Sequence, residues 1–244
     1  MSERSFEGPV RWAMIGLSGI WILFMLVVVS SRVTFPLELE WMEGGSLIQA
    51  LRAQRGEPLY PAPSAEGIPH LYTPLYGMVV GWFGLLFPLG LALGRFVSIV
   101  AMVATAVAIY RIVAFEGVPR AHRWLGVGLY LSGYIFAYRW FDVARADSMC
   151  MALVIWALAM LRRSWGDSRR AVIAGVCMGL AFWTKQTAFV FVVGSGLAAL
   201  ATIVGLLAPP GSSTVGSSAR QSIRGCESPR TAVPGPIRHR LLTV

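Results

Sequence analysis

Three of the chain's twelve carboxylates fall within six residues, Glu38, Glu40 and Glu43, directly after an apolar run long enough to cross a bilayer. Acidic side chains set beside hydrocarbon need water, a cation or a proton to exchange. The cluster is therefore a candidate for chemistry at a membrane surface. Spaced three apart, Glu40 and Glu43 share a face if the stretch is helical, and a carboxylate so placed could deprotonate an acceptor hydroxyl. A solvated acidic loop capping a helix start explains the same spacing.

A second group is Arg139-Trp140-Phe141-Asp142-Val143-Ala144-Arg145-Ala146-Asp147-Ser148, a turn between two apolar segments. Asp142 and Asp147 could hold a divalent cation or orient a ligand, and Arg139 and Arg145 could bind phosphate oxygens. Alternatively Asp147 caps a helix starting at Ser148 and Asp142 pairs with Arg145. Capping accounts for one aspartate but not for two acids and two arginines so close together. A third candidate is Lys185, the single lysine in a chain that uses arginine twenty times. An ammonium at the break between two apolar segments must snorkel or meet an anion, and a phosphate at the interface would serve. His70 and Tyr72, in Pro69-His70-Leu71-Tyr72-Thr73-Pro74, are lesser candidates. His122, between Arg120 and Arg123, reads as part of a basic loop.

The elements that must position these residues follow from composition. The 244 residues are 56% hydrophobic and 14% charged, with a mean hydropathy of +0.63, which fits an all-α integral membrane protein better than a soluble domain. The net charge of +9 is spread over loops and tail without a basic stripe interleaved with aromatics. That pattern excludes a nucleic-acid partner and makes membrane lipid the fitting counter-charge. Cys150, Cys177 and Cys226 have no spacing for a disulfide framework or a zinc site.

Residues 12–31 read as an uncleaved first span, with Arg4 and Arg11 holding residues 1–10 in the cytoplasm. Residues 33–74 then form an exterior loop, with helix-like content at 45–54 and a turn at Gly56-Glu57-Pro58. Further apolar segments lie at 91–114, 124–141, 148–161, 171–184 and 186–207. Residues 75–89, bracketed by Pro74 and Pro88, read as a juxtamembrane helix. Counting that segment as a crossing would send Arg111, Arg120, Arg123 and the pairs Arg162-Arg163 and Arg169-Arg170 outward, against the positive-inside rule. About six crossings result, and Glu40, Glu43, Asp142, Arg145, Asp147 and Lys185 come to one face. The membrane domain covers residues 11–208. Residues 209–244, rich in Pro, Gly, Ser and Arg, read as a disordered basic tail. The switch at Ala208-Pro209 fits a truncated or frameshifted reading frame.

Five segments in order, Glu43-Gly44, Gly56-Glu57-Pro58-Leu59-Tyr60, His70-Leu71-Tyr72-Thr73-Pro74-Leu75-Tyr76, the Asp142/Asp147 turn and Leu180-Ala181-Phe182-Trp183-Thr184-Lys185-Gln186-Thr187, carry a resemblance. Over residues 10–207 the chain resembles the polytopic GT-C glycosyltransferases, in particular the RgtA/B/C/D-like and ArnT/protein-mannosyltransferase group. That resemblance implies a GT-C-like helical bundle in the cell's inner membrane. It implies transfer of a sugar from a polyprenyl-phosphate donor to a lipid, glycan or protein acceptor at the outer face. Glu43 would be the base with Glu40 in reserve, and Asp142 and Asp147 would complete the acidic site, with a divalent cation if one is used. Lys185 or Arg145 would contact the donor phosphate, with His70 and Tyr72 also in the substrate site. Two other readings stand beside it: a membrane transport component, whose ionisable residues would line a path through the helices, and an inactive membrane remnant.

Overall fold

The computed structural model describes residues 4–64, 68–164 and 167–207. The expected tail at 209–244, with Cys226, lies outside the described residues. Contacts divide the chain at Gly196 into a first unit and a C-terminal unit. Among the described residues every regular element is helical and no β-strand is present. The order is α1 (Arg4–Arg32), α2 (Met42–Arg55), α3 (Leu75–Phe83), α4 (Leu91–Phe115), α5 (Arg120–Ser132), α6 (Ala146–Arg162), α7 (Ser168–Thr184) and α8 (Phe189–Leu207), with a 3-10 turn at Gln186–Ala188 before α8.

Among the described residues two helices are long and apolar enough to cross a membrane, Gly8–Arg32 and Leu91–Phe115, each of 25 residues. At 1.5 Å per residue each reaches about 38 Å, more than the hydrocarbon thickness of about 30 Å. On α1 the side chains of Trp12, Ile20, Leu23 and Leu26 are more than 60% exposed. Water would not tolerate that many large apolar groups on one helix, whereas lipid does. The chain is a membrane protein. The expected crossings at 124–141, 148–161 and 171–184 correspond to α5, α6 and α7, which have 13, 17 and 17 residues.

α5 stops well before the expected end at 141. After Ser132 the chain closes into turns, with Ala137 N–H donating to the Gly133 carbonyl and Arg139 N–H to that of Tyr134. Tyr138 and Arg139 take φ of 52° and 61°, left-handed values that do not continue a right-handed helix. Phe141 then stacks on Tyr130 with ring centres 5.0 Å apart, so aromatic packing outweighs helix propagation here. The juxtamembrane helix expected at 75–89 appears as α3, only nine residues long. Its remainder forms turns up to Pro88.

Packing follows small residues. α1 lies on α5, α5 and α6 on α4, and α7 on α6. A Cβ added to Gly128 of α5 would sit 2.8 Å from Ser18 Cα of α1, so only glycine lets these two helices touch. α2 ends at Gly56, whose φ of 68° is the left-handed cap that favours glycine. Arg95 near the start of α4 bonds the Arg32 carbonyl at the end of α1, and Lys185 at the end of α7 pairs with Asp147 at the start of α6. The end of α1, the starts of α4 and α6 and the end of α7 therefore meet at one end of the bundle. At the other end Arg162 lies 3.3 Å from Glu116, joining the ends of α6 and α4.

Candidate active site at one end of the bundle

Glu43 lies in the first turn of α2 and Arg95 in the second turn of α4, and both are 0% exposed. Arg95 Nε donates to Glu43 Oε1 at 2.9 Å and Nη2 to Oε2 at 2.7 Å. Its remaining donors reach the carbonyls of Arg32, Phe35 and Leu37, so all five guanidinium N–H groups are used. Glu43 also accepts the backbone N–H of Ala144 at 2.8 Å and of Leu39 at 2.6 Å. Burial pushes its pKa up, but the Arg95 hydrogen bonds and charge and the two backbone N–H groups outweigh burial and hold it below the usual carboxylate value. One ion pair thus ties together the end of α1, the start of α2, α4 and the 142–145 turn.

Beside this pair a second network leads toward solvent. Arg145 Nη1 lies 2.7 Å from Glu40 Oε1, its Nε 3.0 Å from Asp147 Oδ2, and its Nη2 donates to the Tyr72 hydroxyl at 2.7 Å. Its guanidinium also stacks 4.0 Å from the Trp140 ring centre. Burial favours the neutral form of Arg145, yet Asp147, Tyr72 and Glu40 raise its pKa further, so it stays charged. Lys185 Nζ sits 2.5 Å from Asp147 Oδ1 and 4.7 Å from the Tyr72 ring centre. Side-chain exposure along Glu40, Arg145, Asp147 and Lys185 is 12, 4, 22 and 14%, so the network is half sheltered and reachable. Two further bonds, Thr73 Oγ1 to the Phe182 carbonyl and Gln186 Nε2 to the Leu71 carbonyl, fix the loop before α3 against the end of α7.

Asp142 is almost fully buried. Its Oδ2 lies 2.8 Å from Arg32 Nε, and its Oδ1 accepts the Tyr134 hydroxyl at 3.0 Å. Burial raises its pKa, with Arg32 and Tyr134 opposing. His70 meets Tyr72 edge to face at 5.5 Å. Burial first, and the Arg145 charge second, lower its pKa, which leaves a neutral imidazole. It lines a cavity of about 520 Å³ together with Trp41, Gln49 and Arg52.

The structure therefore gathers Glu40, Glu43, Asp142, Arg145, Asp147, Lys185, Tyr72 and His70 at one end of the bundle, in three adjoining groups. Several pairings differ from those the spacing suggested. Glu40 and Glu43 do not share a helix face, because α2 begins at Met42 and Glu40 precedes it, accepting the Met42 N–H at 2.9 Å. Asp147 does not cap α6, whose first residue is Ala146; both its oxygens are taken by cations. Asp142 pairs with Arg32 rather than with Arg145. Arg139 is exposed and stays outside the network.

Asp142 and Asp147 do not make a shared site for a divalent cation. Among the described residues no group of three His, Cys, Asp or Glu side chains is placed to hold one. Asp142 and Asp147 turn to different cationic partners. Sequence reasoning also missed Arg95 and Arg32. The signal for Arg95 was present: it is the one charged residue within the apolar stretch 91–110, and an ionised group in such a stretch calls for a partner.

A family model described as glycosyltransferase family 87 matches residues 70–213, more than half of the chain. The chain belongs to glycosyltransferase family 87. The matched segment contains His70, Tyr72, Arg95, Asp142, Arg145, Asp147 and Lys185, and it begins after Glu40 and Glu43. Family 87 membership makes this chain a glycosyltransferase, and the apolar helices make it a membrane one. No curated protein and no solved structure matches it.

Proposed function

We propose that this family 87 chain takes a sugar from a polyprenyl-phosphate donor and passes it to a lipid, glycan or protein hydroxyl at the outer face of the cell's inner membrane. The observation that carries this reading is the chain Glu40, Arg145, Asp147, Lys185, which sets two carboxylates against two cations at the mouth of apolar helices. A lipid-borne sugar phosphate presents a hydrocarbon tail to the helices and an anion to such a mouth. Arg145 and Lys185 would hold the phosphate and offset the charge that develops on it as the glycosidic bond breaks. An acceptor hydroxyl would attack the anomeric carbon and give its proton to a carboxylate.

The base role falls in this reading to Glu40, the reserve position, supported by Asp147. Glu43 acts as a positioning residue, because its oxygens already accept four hydrogen bonds and its pKa is depressed. Arg145 holds Glu40 and Asp147 apart until phosphate competes for its donors. A GT-C-like bundle of about six crossings, with the N-terminus cytoplasmic, belongs to the same reading. Its support is the gathering of the carboxylates at one end of the bundle and the arginine-rich end opposite them. The shared position of the ionisable groups at one end favours this reading over a transport path, which needs them along the helices.

The test is donor choice. The chain reconstituted in proteoliposomes should transfer radiolabelled sugar from a polyprenyl-phosphate donor and not from a nucleotide sugar. Transfer from the nucleotide sugar alone would remove the donor assignment.

A further inference from the structure

The end of the bundle opposite the carboxylates carries unneutralised arginines beside an apolar groove. Arg111 lies 5.7 Å from the Trp156 ring centre and Arg163 4.9 Å from that of Phe115. Among the described residues neither guanidinium has a hydrogen-bond or ion-pair partner. Arg162 shares their small cleft, and among the described residues the acids at this end, Glu116 and Asp167, are already taken up by Arg162 and Arg170. Among the described residues this end therefore has positive charge without a free internal counter-ion.

Arg111 also closes one end of a cavity of about 570 Å³ between α1, α4 and α5. Met25, Met102, Val127 and Leu131 form its wall, and Arg111 is its one charged lining residue. Along α4 the cavity runs from Ile99 to Arg111, about 18 Å at the helical rise. Next to Arg111, Tyr110 and Trp124 pack edge to face at 5.2 Å, the kind of amphipathic pair that sits at headgroup level. The groove is thus hydrocarbon-like along its length and cationic at one end only.

We propose that an anionic phospholipid occupies this place, with an acyl chain in the groove and its phosphate held by Arg111 and Arg163. A zwitterionic phospholipid would fill the groove but bring a phosphate whose charge its own ammonium already offsets. A free phosphate would meet the arginines and leave the groove empty. The site is at the far end from Glu40 and Asp147, so it stands whether or not the donor proposed above is correct.

The test is native mass spectrometry of the full chain in neutral detergent, titrated with phosphatidylglycerol and with phosphatidylcholine of identical acyl chains. The unmutated chain should prefer phosphatidylglycerol by about tenfold or more, since each basic residue near an anionic lipid contributes on this scale. An Arg111→Gln/Arg163→Gln variant should lose the preference, and Ala106→Phe, which fills the groove, should weaken binding of both lipids. Equal affinity for the two lipids, a preference that survives the double substitution, or displacement by soluble glycerol phosphate as effective as by the lipid would overturn the proposal. The lipid comparison is made on the unmutated chain, so a variant that fails to fold does not shield the proposal.

Discussion

Arg95 holds both oxygens of Glu43, at 2.9 and 2.7 Å, with both side chains withdrawn from solvent. Removing one member of such a pair leaves an uncompensated buried charge, which typically costs about 3–5 kcal/mol. Arg95→Met should therefore lower the thermal midpoint sharply in detergent. A Glu43→Leu/Arg95→Met variant should recover only part of the loss, because the carbonyls of Arg32, Phe35 and Leu37 stay without their donor. A double-mutant cycle measured by thermal unfolding checks both statements.

The two buried acids should respond to pH in opposite ways. Glu43 has a pKa lowered from its ordinary 4.5, so its contribution is complete above that value and disappears as pH falls through the folded-state pKa. Asp142 has a pKa raised from 3.8, so its contribution is complete below that value and disappears as pH rises through the folded-state pKa. On acidification the stability gap between the unmutated chain and Glu43→Gln should shrink. The gap to Asp142→Asn should move in favour of the unmutated chain. Unfolding curves across the acid range measure each gap.

Arg145→Lys should be far from conservative. Lysine keeps the charge but cannot reach Glu40, Asp147 and Tyr72 together, nor stack on Trp140. In the proposed reading Arg145 meets the donor phosphate, and loss of such positioned donors typically lowers kcat by about a hundredfold or more. Steady-state transfer kinetics should show a fall in kcat beyond any rise in KM for the donor.

The α1 and α5 contact should be sensitive to one methyl group. Gly128→Ala places a carbon against the Ser18 backbone and should destabilise by about 1–3 kcal/mol, the usual cost of overpacking. Gly175→Ala meets nothing within 4 Å and serves as the control, with no loss in thermal midpoint.

The membrane class and the clustering of candidate residues were legible because ionised side chains are rare in this chain and mark the helix ends. Their partners were less so. Glu40 and Glu43 are three residues apart, yet the helix begins between them, so they face different arginines. Asp142 looked local to Arg145 and instead reaches Arg32, more than a hundred residues earlier, because the 133–139 turns fold the chain back onto α1. Arg95 was legible in principle as a lone charge in an apolar run. Periodicity alone could not place it opposite Glu43, since that depends on how α2 and α4 cross. The early end of α5 came from tertiary packing of Phe141 on Tyr130, which no local pattern encodes.

The proposed transfer requires Glu40 and Asp147 to be the carboxylates at the reacting sugar. The most direct measurement is single-turnover transfer from a polyprenyl-phosphate sugar by the purified chain carrying Glu40→Gln and Asp147→Asn, with thermal unfolding confirming that the variant is folded. The transfer rate should fall by about a hundredfold or more, in the range of lost general-base catalysis. A folded double variant that transfers sugar at the unmutated rate would contradict that requirement.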